Sequence, residues 1–290
     1  MTFDHIEAFL RPTSIREAVR LLEREGRRAR LVAGGTGVAV EEDRAIRTLV
    51  DVSRLGLSYI RRKGGGWAIG AATTMAALEE SRQIRNFADG ILAAAASAWG
   101  PIQIRNMATL GGNLATASPA ADAATPLLAL DASAVLASSS GRRRVALTEF
   151  FLGPNRTILN GALLVEILIP GPPRGGRTGW SFQKLGRTES DISVVNSAAG
   201  LQVDRAGKCT WARVALGAAG PRPLRARMAE AALTGQAFTK VSVEAACDAV
   251  MREIAPITDL RASSEYRREM SAVLTRRALR ECGERAGCPL

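Results

Sequence analysis

A run of glycine and proline divides this chain into two unequal parts. Residues 170–179 read PGPPRGGRTG, three prolines and four glycines with no apolar periodicity. Proline lacks a backbone donor, and glycine destabilises helices and strands through its conformational freedom, so such a run separates packed units. The chain has 290 residues, and domains hold roughly 100–200. We therefore expect two domains, residues 1–173 and 177–285.

Apolar spacing predicts short strands and helices in the first part. Residues 14–25 form one helix, because Ile15, Val19 and Leu22 share a face, Ser14 can cap its start and Gly26 its end. Strands are expected at residues 31–33, 48–52, 67–71, 134–137, 144–147 and 163–169, and helices after Thr73 or Thr74, near residues 86–98 and through residues 127–130.

The second part reads as strands followed by helices. Strands are predicted at residues 180–185, 193–203 and 208–216, with the last two joined as a hairpin. Helical spacing then covers residues 229–233, 243–254 and 264–280. Strands and helices that are segregated in this way predict an α+β fold.

The large positive charge of the chain does not by itself indicate a nucleic-acid partner. Lysine and arginine number 39 against 28 aspartates and glutamates, a net charge of +11. Only four are lysines, and two Tyr with seven Phe supply few stacking partners for bases, so we do not expect nucleic-acid binding. The basic clusters 61–63 and 142–144 adjoin glycines and are predicted to be solvated turns.

No sequence feature predicts a membrane span, a signal peptide or a metal site. The longest uncharged apolar stretch, residues 91–99, is far shorter than the ~20 residues that cross a bilayer. Asp4 and Glu7 lie where a secretory signal would be basic and apolar. The four cysteines have no C-x-x-C spacing, and His5 is the only histidine. We expect a cytoplasmic protein with reduced thiols and no metal ligands.

A first glycine segment, Gly34-Gly35-Thr36-Gly37, follows a short apolar strand. Glycines at the end of a strand let backbone amides approach an anion such as phosphate, although an ordinary turn has the same composition. A Walker P-loop is excluded, since no Gly-Lys-Ser/Thr follows. A Rossmann fingerprint fails too, because Val40 replaces its third glycine and residues 38–47 are too few for a crossover helix.

A second segment of small residues, 101–122, contains Gly111-Gly112 together with Asn113 and Asp122. Its glycines could again bring amides to a phosphate, and its polar side chains could bind a sugar hydroxyl or an amine. Two such cradles suit a ligand with a pyrophosphate and two polar ends. The alternative is a loop of small residues at which two backbones pack closely.

Together the segments VAGGTGV and IRNMATLGGNLATASPAAD resemble the FAD-binding medium subunit of molybdenum hydroxylases. That group includes carbon-monoxide dehydrogenase and the flavin domain of xanthine dehydrogenase. The resemblance continues through ALLVEILIP and FQKLGRTESDISVVN. It implies a two-subdomain FAD-binding domain of the PCMH type (vanillyl-alcohol-oxidase-like), followed by a small α+β domain with a three-stranded antiparallel sheet.

The resemblance also implies the residues that would hold FAD. Residues 32–38 would wrap the pyrophosphate with backbone amides, Asp122 would bind polar parts of the cofactor, and Lys184 would approach the isoalloxazine ring. Arg187 and Asp191 could order the loop after Lys184 as an ion pair. The implied set is Val32, Ala33, Gly34, Gly35, Thr36, Gly37, Val38, Ile104, Thr109, Leu110, Gly111, Gly112, Asn113, Thr116, Asp122, Leu164 (or Val165) and Lys184. No catalytic residue is implied.

Such a subunit would transfer electrons within a larger complex. A small subunit with [2Fe-2S] clusters would deliver them to FAD, and a large subunit with a molybdenum cofactor would oxidise the substrate. NAD, a quinone or oxygen would be the external acceptor of this heterotrimer or of its dimer. The region 101–122 is the expected interface with the iron–sulfur subunit. A stand-alone FAD oxidase or reductase is the alternative, although neither segment offers a His or Cys for covalent flavin attachment.

Overall fold

The computed structural model describes residues 4–40 and 43–290, and its fold is α+β. A small parallel sheet begins the chain, with β3 in the centre. Helix α1 connects its first two strands. The elements are β1 (Ala8–Leu10), α1 (Ile15–Glu25), β2 (Ala29–Val32) and β3 (Thr48–Asp51).

Helix α1 forms where the spacing predicted it. The Ser14 side chain accepts a hydrogen bond from the Glu17 amide, and Gly26 ends the helix at φ +57°, a conformation that favours glycine. Ala18, Val19 and Leu22 are buried. They pack against residues 137, 163 and 165 of the next sheet, so α1 covers one end of that sheet.

A five-stranded antiparallel sheet is the centre of the first domain, in the order β4-β5-β10-β6-β7. The basic clusters 61–63 and 142–144 lie in its two edge strands, so the prediction of solvated turns was wrong. Edge strands leave one face and one edge to solvent, where charged side chains are tolerated. The strands are β4 (Ile60–Lys63), β5 (Gly66–Gly70), β6 (Ser133–Ser138), β7 (Gly141–Ala146) and β10 (Leu163–Ile169).

Helices between β5 and β6 cover the other face of this sheet. Residues 101–122, predicted to be one segment of small residues, contain two short helices, because Pro101 and Thr109 begin them and the core buries Leu110 and Leu114. The helices are α2 (Met75–Glu80), α3 (Arg82–Arg85), α4 (Ile91–Ser97), α5 (Ile102–Arg105), α6 (Leu110–Ala115) and α7 (Ala124–Ala129). A single turn, α8 (Leu147–Phe150), and a small hairpin, β8 (Phe151–Gly153) with β9 (Arg156–Thr157), complete the domain.

The second domain is an antiparallel sheet backed by three helices. Its three long strands match the prediction, and a two-residue fourth strand extends the sheet. The strands are β11 (Arg177–Leu185), β12 (Val195–Val203), β13 (Cys209–Gly217) and β14 (Leu224–Arg225). The helices are α9 (Arg227–Leu233), α10 (Lys240–Glu253) and α11 (Ser264–Arg285).

The two domains share a packed boundary. Every residue of β12 is buried, because helices cover both faces of the sheet. Ala198 and Ala215 pack into the core of the first domain, whereas Ala199 and Val214 face the core of the second. None of the helices in residues 4–40 and 43–290 is long and apolar enough to cross a membrane.

A buried arginine fastens α11 to the start of β12. The Arg267 side chain is only 4% exposed, donates to the Val194 carbonyl at 2.7 Å and pairs with Asp259 at 2.7 Å. Burial alone would raise the pKa of Asp259, but the Arg261 amide and the Arg267 guanidinium outweigh it and lower that pKa to about 2. The ionised carboxylate therefore stabilises this corner of the fold.

Asp259→Asn should destabilise the protein in a pH-dependent way. Because the pKa of Asp259 is lower in the folded state, its contribution is complete above about pH 4 and is lost as the pH falls towards 2. We expect a loss of roughly 2 kcal/mol at pH 7 that shrinks below pH 4, measured by urea unfolding. Asp248→Asn, at an exposed carboxylate on α10, is the control. An equal loss at every pH would contradict the assignment.

Candidate cofactor site

The first glycine segment presents a row of unpaired backbone donors. It leaves the end of β2, turns at Gly35 with φ +73°, and reaches a single 3-10 turn at Val38. Within the described part of the chain, the amides of residues 34–37 donate to no protein acceptor. A loop of consecutive free amides after a strand is a binding site for an anion.

Close packing brings the two glycine segments together. A Cβ on Gly34 would overlap the carbonyl group of Met107, which lies in the second segment. At Gly37 an added Cβ would lie 3.6 Å from the Thr116 methyl group. Only glycine at position 34 therefore lets the first segment lie this close to the Met107 backbone. Gly37 lies next to Thr116, at the end of α6.

The second segment does not supply the amides that its glycines suggested. The amide of Gly111 donates to the Ala71 carbonyl at 2.8 Å, and that of Gly112 donates to the Thr109 hydroxyl at 3.1 Å. The amide of Leu110 donates to Thr73. These groups are used inside the protein because Thr109 caps α6 and the segment pairs with residues 71–73. Both amides therefore have partners inside the protein, and a role of Gly111 and Gly112 in cofactor binding stays a prediction.

Instead, the second segment contributes one unsatisfied acceptor. Asn113 is 9% exposed, and its Oδ1 is buried without a hydrogen-bond partner in the described chain. Thr116 is exposed, although its hydroxyl donates to the Asn113 carbonyl at 2.8 Å. A buried unpaired amide oxygen costs free energy, so its presence indicates a missing ligand or water.

The other implied apolar and small residues differ in how much surface they offer. Leu164 is 5% exposed and packs in the core with α6, whereas Val165 packs on the opposite face of the sheet near residues 31 and 33. Ile104 is 38% exposed beside the second segment. Val32, Ala33, Thr36 and Val38 are half-buried.

Asp122 and Lys184 meet as a buried ion pair across the domain boundary. Their side chains are 3% and 8% exposed, and Nζ lies 2.9 Å from Oδ2. Lys184 Nζ also donates to the Ala98 carbonyl at 2.6 Å, at the end of α4. Burial raises the pKa of Asp122, and the Lys184 charge acts against that rise. Lys184 is therefore not the solvated lysine of an ordinary strand edge.

Three polar residues of this cluster were missed by sequence reasoning. Ser193 and Asn196 both donate to Asp122 Oδ1, the latter at 2.7 Å, and Thr125 donates to Asn196 Oδ1 at 2.6 Å. All three are essentially inaccessible to solvent. For Ser193 and Asn196 the available signal was their polarity within the otherwise apolar stretch 193–203.

The loop between Lys184 and Ser193 carries the expected ion pair. Arg187 Nε lies 3.2 Å from Asp191 Oδ2, both side chains being partly exposed. Ile192, which follows, is 55% exposed. The pair therefore closes a surface loop next to the buried Asp122 cluster.

No group of three His, Cys, Asp or Glu side chains in the described residues could hold a metal ion. The free amides of residues 34–37, the orphaned Asn113 oxygen and the Asp122–Lys184 pair instead suit an organic ligand. Its anionic part would bind the glycine loop and a polar part would reach Asn113. These features fit FAD, whose pyrophosphate and two polar ends match the two segments.

Two protein-family models match this chain. Residues 2–172 match the FAD binding domain in molybdopterin dehydrogenase, and residues 180–282 match the CO dehydrogenase flavoprotein C-terminal domain.

Similar proteins cover nearly the whole chain. The xanthine dehydrogenase FAD-binding subunit of Escherichia coli O157:H7 is 32% identical over 97% of each chain. The carbon monoxide dehydrogenase medium chain of Hydrogenophaga pseudoflava is 34% identical, over 92% of this chain and 94% of that one. In the structure of reconstituted CO dehydrogenase from Oligotropha carboxidovorans, the matching chain is 33% identical with a TM-score of 0.93, over 99% of this chain and all of that one.

Gly34→Ala should separate the two glycine segments. The new methyl group would overlap the Met107 carbonyl, and overpacking against backbone costs on the order of 1–3 kcal/mol or more. We expect a thermal midpoint several degrees lower in calorimetry. Gly153→Ala is the matched control, since a Cβ there meets nothing within 4 Å. Equal midpoints for the two variants would show that the segments do not pack as described.

Proposed function

This chain belongs to the family of FAD-binding subunits of molybdenum hydroxylases, and from that premise we propose that it passes electrons from a partner's iron–sulfur clusters through FAD to an external acceptor. The observation that carries the proposal is the row of free amides at residues 34–37, set against the orphaned Asn113 oxygen. FAD supplies electron transfer in single and paired steps when it is bound.

The residues of the chain would bind and orient the cofactor. The amides of residues 34–37 would donate to the pyrophosphate oxygens, and Asn113 Oδ1 would accept from a polar hydrogen of the cofactor. Lys184 has three N–H donors, of which the Ala98 carbonyl and Asp122 occupy two. The third remains to donate a hydrogen bond to the flavin.

The proposed partners are a large molybdenum-cofactor subunit and a small [2Fe-2S] subunit. A patch of apolar side chains next to the second segment supports docking of the small subunit: Ile102, Ile104 and Met107 are 47%, 38% and 56% exposed. An apolar surface beside a redox site lets a partner exclude water there. NAD, a quinone or oxygen would be the acceptor.

The full chain should bind FAD, and Asn113 should contribute to the affinity. After incubation with FAD and desalting, we expect a yellow protein whose flavin is released as FAD on denaturation. Asn113→Ala should weaken binding by about threefold to tenfold, the effect of one lost hydrogen bond, in a fluorescence titration. Asn86→Ala, at an exposed amide, should bind like the wild type. A folded wild-type chain that takes up no FAD would overturn the proposed function.

Charges placed on the apolar patch should prevent assembly without preventing FAD binding. We expect the double variant Ile102→Glu with Met107→Glu to elute free of the small subunit in size-exclusion chromatography of the co-expressed complex, because burying two carboxylates is costly. Val241→Glu is the control, at an apolar side chain 80% exposed on α10. Assembly of the double variant at the wild-type level would place the interface elsewhere.

A further inference from the structure

The Asp122 carboxylate is held by donors from both sides of the domain boundary. Its Oδ1 accepts from Ser193 and from Asn196 Nδ2, and its Oδ2 accepts from Lys184 Nζ. Asp122 comes from the first domain, and its three donors come from the second. Four lone-pair positions of a carboxylate are thus met by three donors in a site closed to solvent.

The amide of Asn196 is fixed in orientation by Thr125. The Thr125 hydroxyl donates to Asn196 Oδ1 at 2.6 Å, so the NH₂ group faces Asp122. Asn196 is completely buried, and a Cβ on Gly217 would overlap its side-chain amide. Close packing and one hydrogen bond therefore preorganise Asn196 as a donor.

The charges around Asp122 are few. Lys184 is the one cation within ion-pair distance of it among the residues described by the structure. The remaining contacts of the pair are neutral: the Ala98 carbonyl, Ser193 and Asn196. Arg187 and Asp191, on the adjacent loop, neutralise each other. The ionisation of Asp122 therefore decides whether the pair contributes zero or +1 to its surroundings.

We propose that Ser193 and Asn196 are positioning residues that keep Asp122 ionised beneath Lys184, so that this pair adds no net charge to the flavin site. The inference rests on the proposed function, because it requires Lys184 to lie beside bound FAD. The two neutral donors thereby set the redox potential of the flavin without touching it.

The physical basis is the balance between the burial of the Asp122 carboxylate and the donors that contact it. Burial raises the pKa of Asp122 above its usual value, and Lys184, Ser193 and Asn196 act against that rise. Loss of a neutral donor leaves the effect of burial unopposed by that donor, so Asp122 is protonated more easily. A protonated Asp122 no longer cancels the charge of Lys184, and the uncompensated charge stabilises the anionic reduced flavin.

The test compares flavin potentials of the FAD-loaded full chain across pH. Asn196→Ala and Ser193→Ala should each raise the two-electron potential at pH 7, with an expected tenfold shift in the ratio of reduced to oxidised flavin, which is about 30 mV. The difference from wild type should disappear at higher pH, where Asp122 is ionised in every variant. This pH dependence separates a change of charge from a general loosening of the site.

Ser197→Ala is the matched control. Ser197 is also a buried serine near the start of β12, but its hydroxyl pairs with Thr275 at 3.2 Å rather than with Asp122. Its potential should follow that of the wild type at each pH. A shift in the Ser193 and Asn196 variants that is absent, or equal at every pH, would overturn the inference.

Infrared spectra provide a second measurement, which reports the protonation state of Asp122 directly and needs no variant of Ser193, Asn196 or Ser197. At neutral pH the wild-type and Asp122→Asn spectra should be the same in the region of protonated carboxyl groups, because Asp122 is ionised in the wild type. A protonated-carboxyl band that is present in the wild type and absent from Asp122→Asn would show that Asp122 is neutral, and the inference would fail even if FAD binds normally. A wild-type chain that takes up no FAD would instead overturn the proposed function itself.

Discussion

Burial of the Asp122 carboxylate is the constraint on which the joint between the domains depends. A carboxylate taken out of water must find charge and hydrogen-bond donors, or it is neutralised. Here the donors come from β11, from β12 and from the loop between them, so the second domain must sit where it does to satisfy a group of the first. Apolar packing of α7 against β12 and β13 completes that boundary.

The two glycine segments differ in whether their backbone amides have hydrogen-bond partners within the protein. In the second segment, Thr109 and the carbonyls of Ala71 and Thr73 take up the amides, which fixes α6 in place. In the first segment the amides stay free, because Gly35 turns the chain away from any strand partner. Among the described residues, the second segment thus offers the unpaired Asn113 oxygen as an acceptor, and the first segment offers the free amides of residues 34–37 as donors.

Two of the basic residues pair with a buried carboxylate of the five-stranded sheet. Arg61 and Lys63 on β4 contact the buried Glu166 carboxylate of β10 at 3.2 and 2.7 Å, and Tyr59 donates to it as well. Burial alone would raise the pKa of Glu166, but these donors lower it. The basic residues Arg61 and Lys63 of edge strand β4 therefore satisfy a buried carboxylate of the sheet, at a place where a turn was predicted.

Sequence alone determined the elements whose signals are local. The spacing of apolar residues, the cap Ser14 and the break at residues 170–179 predicted most strands and helices, and the two motifs identified the family. The sequence left the cap of α2 open between Thr73 and Thr74, and the structure selects Thr74. Tertiary structure decided what depends on distant residues. The amides of Gly111 and Gly112 donate to the Ala71 carbonyl and the Thr109 hydroxyl inside the protein. Asp122 found Ser193 and Asn196 more than 70 positions along the chain. A pattern read along the chain carries no record of such pairings, because hydrogen-bond partners and burial are set by folding in three dimensions.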